Sequence, residues 1–294
     1  MSMNVFVLSE DPVACRVKKS IPWWMYANVF SLDAPLVAVV WLYVLARAWN
    51  VNYVEPLLPV VLALVVWIVY ATDRLLDCKW KQETSFSLRH RVHQQSEKRF
   101  IIAIGIVVIA VAVISLNFLQ WSIVQTAMLP LAATIGFFAL SFFGPSNQRV
   151  SYSKNLLAGY AFAWGVGAGL IGLLGLPQPS NLLKLFAPEM LVFGLLCVIN
   201  ITAVDLWVKG SDELDEDAEE WALTMPLMIL AFFSVLMMRT SDKHESSPFY
   251  ISMLIAAALM YVVNRMRCHL SANFLRVSID LILLIAALFF FLIS

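Results

Sequence analysis

The sequence is poor in charged residues. Only 14% of its 294 residues are Asp, Glu, Lys or Arg and 61% are hydrophobic, whereas a soluble domain averages roughly 25% charged residues. This is too little charge to cover a globular surface, so the composition excludes a soluble domain, a disordered chain and a nucleic-acid-binding protein. Lys plus Arg equals Asp plus Glu at 20 each, so the net charge indicates no partner.

Cysteine is scarce as well. The four cysteines form no Cys-x-x-Cys pair and no spacing typical of a zinc site. They are therefore interpreted as small buried or interfacial thiols. The first twenty residues contain no continuous apolar core, which argues against a cleavable signal peptide.

Long apolar runs are what the sequence has in abundance. A membrane-spanning helix needs about 20 mostly apolar residues. Nine such runs predict an all-α integral membrane protein, a single transmembrane helical domain over residues 1–294. The predicted spans are 33–50, 55–77, 100–118, 121–143, 154–176, 186–206, 222–239, 248–264 and 275–293. The main polar segments are the N-terminal segment 1–25 and loops at about 78–99 and 207–221.

The basic residues are distributed unequally between the two ends of these spans. Sixteen of the 20 Lys and Arg residues lie on the side of the N-terminal segment and of the two polar loops. The positive-inside rule then predicts that the N-terminus and both loops are cytoplasmic. With nine spans, the C-terminus is predicted to lie outside.

The first acidic motif ends the second predicted span. Asp73 and Asp77 are four residues apart and therefore share one helix face. Two carboxylates at this spacing repel each other unless a cation lies between them. That cation is either a bound metal ion or a neighbouring basic side chain such as Arg74 or Lys79, in which case the motif is a charge-paired helix end.

The second acidic motif ends the sixth predicted span. Asp205 follows an apolar stretch, so it is predicted at membrane depth, where an ionisable residue indicates function. Asp212 lies in the acidic loop that follows, with Lys209 between the two. Asn200 precedes Asp205 and is predicted to help position a diphosphate or a metal ion. Asp280, four residues after Arg276 in the last span, is interpreted as half of an intrahelical ion pair.

The two acidic helix ends share one predicted face of the membrane. Carboxylates from two helices make an oxygen-rich site suited to Mg²⁺, which commonly bridges carboxylates to substrate phosphates. Arg89 and Arg91, in the loop after the first motif, are the expected cationic partners of the same diphosphate. A metal site at the mouth of an apolar bundle indicates a substrate with a diphosphate head and a hydrocarbon tail.

These motifs resemble those of the UbiA superfamily of intramembrane prenyltransferases. The segment SLDAPLVAVVWLY carries Asp33 and Pro35 of the segment that precedes the first helix in the family. The matches at the two family Asp motifs are Asp73, Arg74, Asp77, Asp205 and Asp212. The resemblance implies nine transmembrane helices around a central apolar chamber that opens to the cytosol. It also implies Mg²⁺ bound by the four aspartates, and a diphosphate contacted by Arg74, Arg89, Arg91, Lys209 and Asn200.

Two departures from the family pattern bear on the reaction. Val69 occupies the position of the Asn in the first motif, and SLRHRVHQQ replaces the Arg-Thr-x-x-Arg-Pro stretch that follows it. The resemblance implies that ionisation of a prenyl diphosphate gives a carbocation. Either the tail itself captures it, as in the terpene cyclases of the superfamily, or a lipophilic and typically aromatic acceptor does, as in the prenyltransferases.

Aromatic side chains are the expected lining for such a cation. Trp67 and Tyr70 lie one to two turns before Asp73, and Tyr160 and Trp164 lie in the fifth predicted span. An aromatic face contributes about 2 kcal/mol to a desolvated cation. Core packing and interfacial belts are the alternative interpretation of these residues.

The sequence therefore favours a Mg²⁺-dependent terpene cyclase, because no residue is evident that would deprotonate an acceptor. Its expected substrate is geranyl, farnesyl or geranylgeranyl diphosphate. Transfer to an aromatic acceptor is the first alternative. A cation-coupled transporter is the second, although the sequence shows neither inverted repeats nor broken midplane helices. Membrane lipid is the expected surrounding, and no protein partner is indicated.

Overall fold

The computed structural model describes residue 28 and residues 30–80, 97–143, 148–175, 183–209, 216–240 and 247–294. Within these ranges the protein is helical and contains no strand. Short 3₁₀ turns lie at Leu183–Phe186 and Arg267–His269. The α-helices in chain order are α1 (Asp33–Ala48), α2 (Leu57–Trp80), α3 (Glu97–Phe118), α4 (Trp121–Thr126), α5 (Met128–Phe143), α6 (Gln148–Leu173), α7 (Pro188–Lys209), α8 (Glu216–Thr240), α9 (Ser247–Met266) and α10 (Ala272–Ile293).

The prediction of an all-α membrane bundle is confirmed at the level of the helices. In the described ranges, eight segments are long and apolar enough to cross a membrane. They are Leu57–Leu76, Glu97–Phe118, Trp121–Phe143, Tyr152–Leu173, Pro188–Trp207, Glu220–Thr240, Ser247–His269 and Ala272–Ile293. Their number indicates a multi-pass membrane protein.

The first predicted span corresponds to a shorter helix. Helix α1 has 16 residues, so it is about 24 Å long, less than the roughly 30 Å of a hydrocarbon core. It ends because Asn50 adopts a left-handed conformation (φ 55°), which terminates a helix. Nine of its residues are buried, and Trp41 stacks on Phe193 of α7 with ring centroids 4.7 Å apart. Helix α1 is therefore an interior element of the bundle.

The helices on either side of the two polar segments extend further than the predicted spans. Helix α2 continues through Trp80 and α7 through Lys209, and the next helices begin at Glu97 and Glu216. Both acidic motifs therefore begin on regular helices. In each case the helical backbone continues beyond the end of the apolar run. Asp77 lies within α2, one turn beyond Asp73.

Contacts at both ends define the direction of the helices. Arg74, late in α2, lies 3.9 Å from Asp33 at the start of α1. At the opposite end, Arg47 of α1 donates from Nε to Oγ of Ser294, directly after α10, at 3.0 Å. Helices α1 and α10 are therefore parallel, with α2 antiparallel to them. The end at which α2 and α7 end and α1 and α10 begin is called the polar end.

Helices α6 and α7 pack backbone against backbone. A Cβ atom on Gly159 of α6 would lie 2.5 Å from Cγ2 and 2.6 Å from the backbone nitrogen of Val198 in α7. A Cβ on Gly194 of α7 would lie 2.3 Å from the ring of Tyr160. Small residues permit such approach between membrane helices, where van der Waals packing drives association. We call this contact the glycine seam.

Candidate functional site

Arg74 organises the polar end of the bundle. Its side chain is only 7% exposed, and its Nη1 donates to the backbone oxygen of Asn28 and to Oγ of Ser31. Nη2 lies 3.9 Å from Oδ1 of Asp33. The guanidinium therefore fixes the segment that leads into α1, and its positive charge offsets the negative charge of Asp33.

The chain bends sharply to make these contacts. Ser31 is fully buried and has a φ of 59°, in the left-handed region that a residue with a Cβ adopts at a cost of about 1 kcal/mol or more. The hydrogen bond from Arg74 to Ser31 helps to offset that cost. Trp67 of α2 supports the same bend, because its Nε1 donates to the backbone oxygen of Phe30 at 3.1 Å.

Asp33 occupies the first turn of α1, where the helix dipole favours a negative charge. Its Oδ2 accepts a hydrogen bond from Nδ2 of Asn28 at 2.6 Å, and its Oδ1 accepts one from the backbone nitrogen of Ala34 at 3.0 Å. Three donors or cations thus surround this carboxylate. The position of the Asp33 carboxylate is therefore fixed by one backbone nitrogen and two side chains.

Asp280 of α10 joins this group from the opposite side. Its carboxyl lies close to the side chains of Asp33, Arg74 and Asn200. It is eight residues into α10, about 12 Å from the start of that helix. The interpretation of Asp280 as merely the partner of Arg276 does not account for these contacts with α1 and α7. We call Asp33, Arg74, Asn200 and Asp280 the polar cluster.

A cavity adjoins the polar cluster. Its volume is about 10 Å³, room for about one water molecule. Asp280 and Asn200 form its polar wall, and Tyr70 and Phe162 contribute aromatic rings. The remaining lining is small or aliphatic apart from Cys197. Oδ1 of Asn200 is buried and has no hydrogen-bond partner among the described residues.

Asp205 faces a different neighbour from Asn200. Its Oδ2 accepts a hydrogen bond from Nδ2 of Asn155 in α6 at 3.1 Å, and the same nitrogen lies 3.4 Å from Oγ1 of Thr202. Five residues along an α-helix correspond to a rotation of about 140°, which separates Asp205 from Asn200 around α7. Asp205 therefore lies toward α6, and Asn200 lies in the cavity.

The predicted metal ligands are described only in part. Asp73 is half-buried in α2, immediately before Arg74, and Asp205 is half-buried in α7. Asp77 lies on α2, although its side chain is outside the described part of the chain, and Asp212 lies wholly outside it. Among the described side chains, no three His, Cys, Asp or Glu residues lie close enough together to hold a metal ion.

The residues predicted to contact a diphosphate are likewise described only in part. Arg74 and Asn200 lie in the polar cluster. Lys209 is the last residue of α7, but its side chain is not described, and Arg89 and Arg91 lie outside the described residues. The structure therefore brings together two of the five residues predicted to contact a diphosphate.

Of the aromatic residues predicted to line the chamber, Tyr70 lies in the cavity wall. Trp67 instead supports the bend before α1. The hydroxyl of Tyr160 donates to the backbone oxygen of Leu191, and Nε1 of Trp164 donates to that of Leu185. These two rings pack against each other near the start of α7, with centroids 5.9 Å apart. Phe162, from the same helix, lines the cavity in their place.

The sequence suggests a local pair for Asp280, whereas the structure places this residue in the polar cluster. It is the single acidic residue in the last predicted span, and an acidic residue at membrane depth is itself a signal of function. The nearby Arg276 offered a local explanation, which concealed that signal. Asn155, a polar residue within the fifth predicted span, carries the same kind of signal.

Comparisons with known proteins provide no family for the chain. It matches no family model, no curated protein and no solved structure.

Proposed function

We propose that the protein is a Mg²⁺-dependent membrane enzyme of the UbiA type that ionises a prenyl diphosphate and cyclises its tail. The observation that carries this proposal is the polar cluster, which four side chains from α1, α2, α7 and α10 form beside a small, mostly apolar cavity that the tail would widen on binding. A diphosphate head requires charged and polar groups, and a hydrocarbon tail requires an apolar cavity. The side of the membrane rich in Lys and Arg is the proposed cytoplasmic side.

The oxygen donors at the polar end suit Mg²⁺. This ion takes one or two carboxylates together with water and substrate phosphates, rather than a cage made wholly of protein ligands. Asp73 and Asp205 are the described carboxylates that would hold it, with Asp77 and Asp212 as the further ligands implied by the resemblance. When bound, Mg²⁺ would neutralise charge on the departing diphosphate.

The residues of the cluster have separate roles in this proposal. Arg74 fixes Asp33 and the bend before α1, so its effect on the diphosphate is exerted largely through position. Asn200 is directed into the cavity, where its amide would contact the oxygen that joins head and tail. Tyr70 and Phe162 present aromatic rings to the carbon that becomes positive, each contributing about 2 kcal/mol once water is excluded.

The test uses membranes that contain the protein, Mg²⁺ and each of geranyl, farnesyl and geranylgeranyl diphosphate, without an acceptor. Released diphosphate is measured, and organic extracts are analysed by gas chromatography with mass detection. We expect diphosphate release and a new cyclic hydrocarbon or alcohol, both absent with Asp73→Ala. Failure to release diphosphate from any of the three donors, with or without an acceptor, would contradict the proposal.

Transfer to an acceptor is the second candidate, and Asn200 is the observation that favours it. Its Oδ1 is buried without a partner in the described residues and is available to accept a hydrogen bond from an acceptor hydroxyl. The same membranes would then be supplied with a panel of hydroxylated aromatic compounds. Diphosphate release that depends on one of these compounds, with formation of its prenylated derivative, would identify a transferase.

A further inference from the structure

Asn155 connects helix α6 to the polar end of α7. Its Nδ2 donates to Oδ2 of Asp205 at 3.1 Å and lies 3.4 Å from Oγ1 of Thr202, one turn earlier on α7. Asn155 and Thr202 are each 8% exposed, so this contact is largely withdrawn from solvent. Asp205 is a proposed ligand of the metal ion, and the orientation of its carboxylate therefore depends in part on a residue of another helix.

The backbone contact between these two helices sets the distance that Asn155 has to span. Gly159 and Val198 meet in the glycine seam, where a Cβ on Gly159 would lie 2.6 Å from the Val198 backbone nitrogen. Asn155 lies one turn from Gly159 on α6. Thr202 lies one turn from Val198 on α7, and both steps lead toward the polar end. The amide of Asn155 thus extends from a backbone whose separation from α7 is set by direct contact.

An amide is a suitable partner for a carboxylate that binds a metal ion. It has N–H donors but no charge, so it orients the carboxylate and leaves the negative charge on the oxygens. A Lys or Arg in the place of Asn155 would instead offset the charge that attracts the cation. A carboxylate can accept about four hydrogen bonds, and the bond from Asn155 uses one of these sites. The amide therefore fixes Asp205 without reducing the attraction of its carboxylate for Mg²⁺.

We propose that Asn155 is a positioning residue of the metal site, an inference that rests on the proposed function. It acts through Asp205, whose side chain it holds in one rotamer, so that less conformational entropy is lost when the ion binds. Hydrogen-bonding partners of metal ligands typically change metal affinity by about 10- to 100-fold. Asn155 itself contacts neither the ion nor the prenyl diphosphate in this proposal.

The experiment measures binding of Mn²⁺ to the purified protein in detergent by electron paramagnetic resonance, in which bound Mn²⁺ no longer gives the sharp signal of the free ion. Mn²⁺ replaces Mg²⁺ because both ions prefer oxygen ligands. We expect Asn155→Leu to raise the Kd for Mn²⁺ by about 10- to 100-fold. The Mg²⁺ concentration for half-maximal diphosphate release should rise by a similar factor, and saturating Mg²⁺ should bring the rate back toward that of wild type.

Thr126→Val is the matched control, because it also removes a buried polar contact between α6 and a neighbouring helix. Oγ1 of Thr126, at the end of α4, lies 2.8 Å from the backbone oxygen of Ala168 in α6. Ala168 is about 20 Å along α6 from Asn155, toward the opposite end of the bundle. We expect the Kd for Mn²⁺ of Thr126→Val to equal that of wild type. An equal rise in both variants would assign the effect to the packing of α6 and overturn the inference.

Asp205→Asn and the double variant Asn155→Leu/Asp205→Asn test whether Asn155 acts through Asp205. Once Asp205 is replaced, Asn155→Leu should weaken Mn²⁺ binding no further. Additive effects of the two substitutions on the Kd would overturn the inference, and so would a wild-type Kd in Asn155→Leu. Asn155→Ala, whose side chain is smaller, replaces Asn155→Leu if the latter does not insert into the membrane, with the same expected rise and the same contradicting result.

Failure of the proposed function is recognised separately. Wild type that binds Mn²⁺ but releases no diphosphate with any donor or acceptor would refute the proposed function, and the Kd of the variants alone would then decide the role of Asn155. Wild type that neither binds Mn²⁺ nor releases diphosphate would refute both. Normal binding and release in wild type, with an unchanged Kd in Asn155→Leu, would refute the inference alone.

Discussion

Replacing Arg74 by Leu should destabilise the bundle strongly. The substitution removes the hydrogen bonds to Asn28 and Ser31 and the cation that lies 3.9 Å from the Asp33 carboxylate. The Arg74 and Asp33 side chains are 7% and 12% exposed, so solvent screens little of this loss. Removal of one partner from a buried pair costs about 3–5 kcal/mol, a range that already includes the hydrogen bonds lost with it.

The measurement is equilibrium unfolding in mixed detergent micelles, titrated with sodium dodecyl sulfate and followed by tryptophan fluorescence. Asp33→Asn and the double variant Asp33→Asn/Arg74→Leu complete a double-mutant cycle. We expect the double variant to be less destabilised than the sum of the single variants, by about 1–3 kcal/mol, because the uncompensated charge is then absent.

Arg265→Leu is the matched control for this prediction. Arg265 also forms an ion pair, with Glu220, but its side chain is 56% exposed. Surface pairs contribute little and are screened by salt. Equal shifts of the unfolding midpoint for Arg74→Leu and Arg265→Leu, or an additive cycle for Arg74 and Asp33, would refute the reasoning.

Three further outcomes are expected. Gly159→Ala should lower the unfolding free energy by more than about 2 kcal/mol, because the added Cβ meets the Val198 backbone. Gly165→Ala should be neutral or stabilising, because its Cβ would have nothing within 4 Å. Equal effects of the two substitutions in detergent unfolding would contradict the close contact. EDTA should stop diphosphate release and added Mg²⁺ should restore it, and release that persists in EDTA would argue against the metal. Phe162→Ala should change the product distribution more than Trp164→Ala does, as judged by gas chromatography.

The membrane spans could be predicted from the sequence because insertion depends on the hydropathy of a continuous run, which is a local property. The short first helix could not be predicted. The apolar run 33–50 is long enough to suggest a span, but its length does not reveal that Asn50 ends the helix in a left-handed conformation. The sequence places the ends of α2 and α7 too early, because polar residues can continue a helix after the apolar run has ended.

The polar cluster depends on the rotation and depth of each helix, which no single segment encodes. The spacing of Arg276 and Asp280 suggests a local pair, whereas the described contacts of Asp280 come from α1 and α7. Likewise, Tyr160 and Trp164 were good candidates by residue type, but Phe162 faces the cavity. The aspartates of the two motifs were identifiable because their spacing and their position at span ends are visible in one dimension. Their role as metal ligands stays a prediction.

The glycine seam limits how far the width of the cavity can change. Phe162 lies on α6 three residues beyond Gly159, and Asn200 lies on α7 two residues beyond Val198, so the aromatic and polar walls are attached to two backbones in direct contact. Backbone contact of this kind cannot be altered by a change of side-chain rotamer. The separation of the two walls is accordingly set by the distance between two backbones and not by the conformation of the side chains that line the cavity.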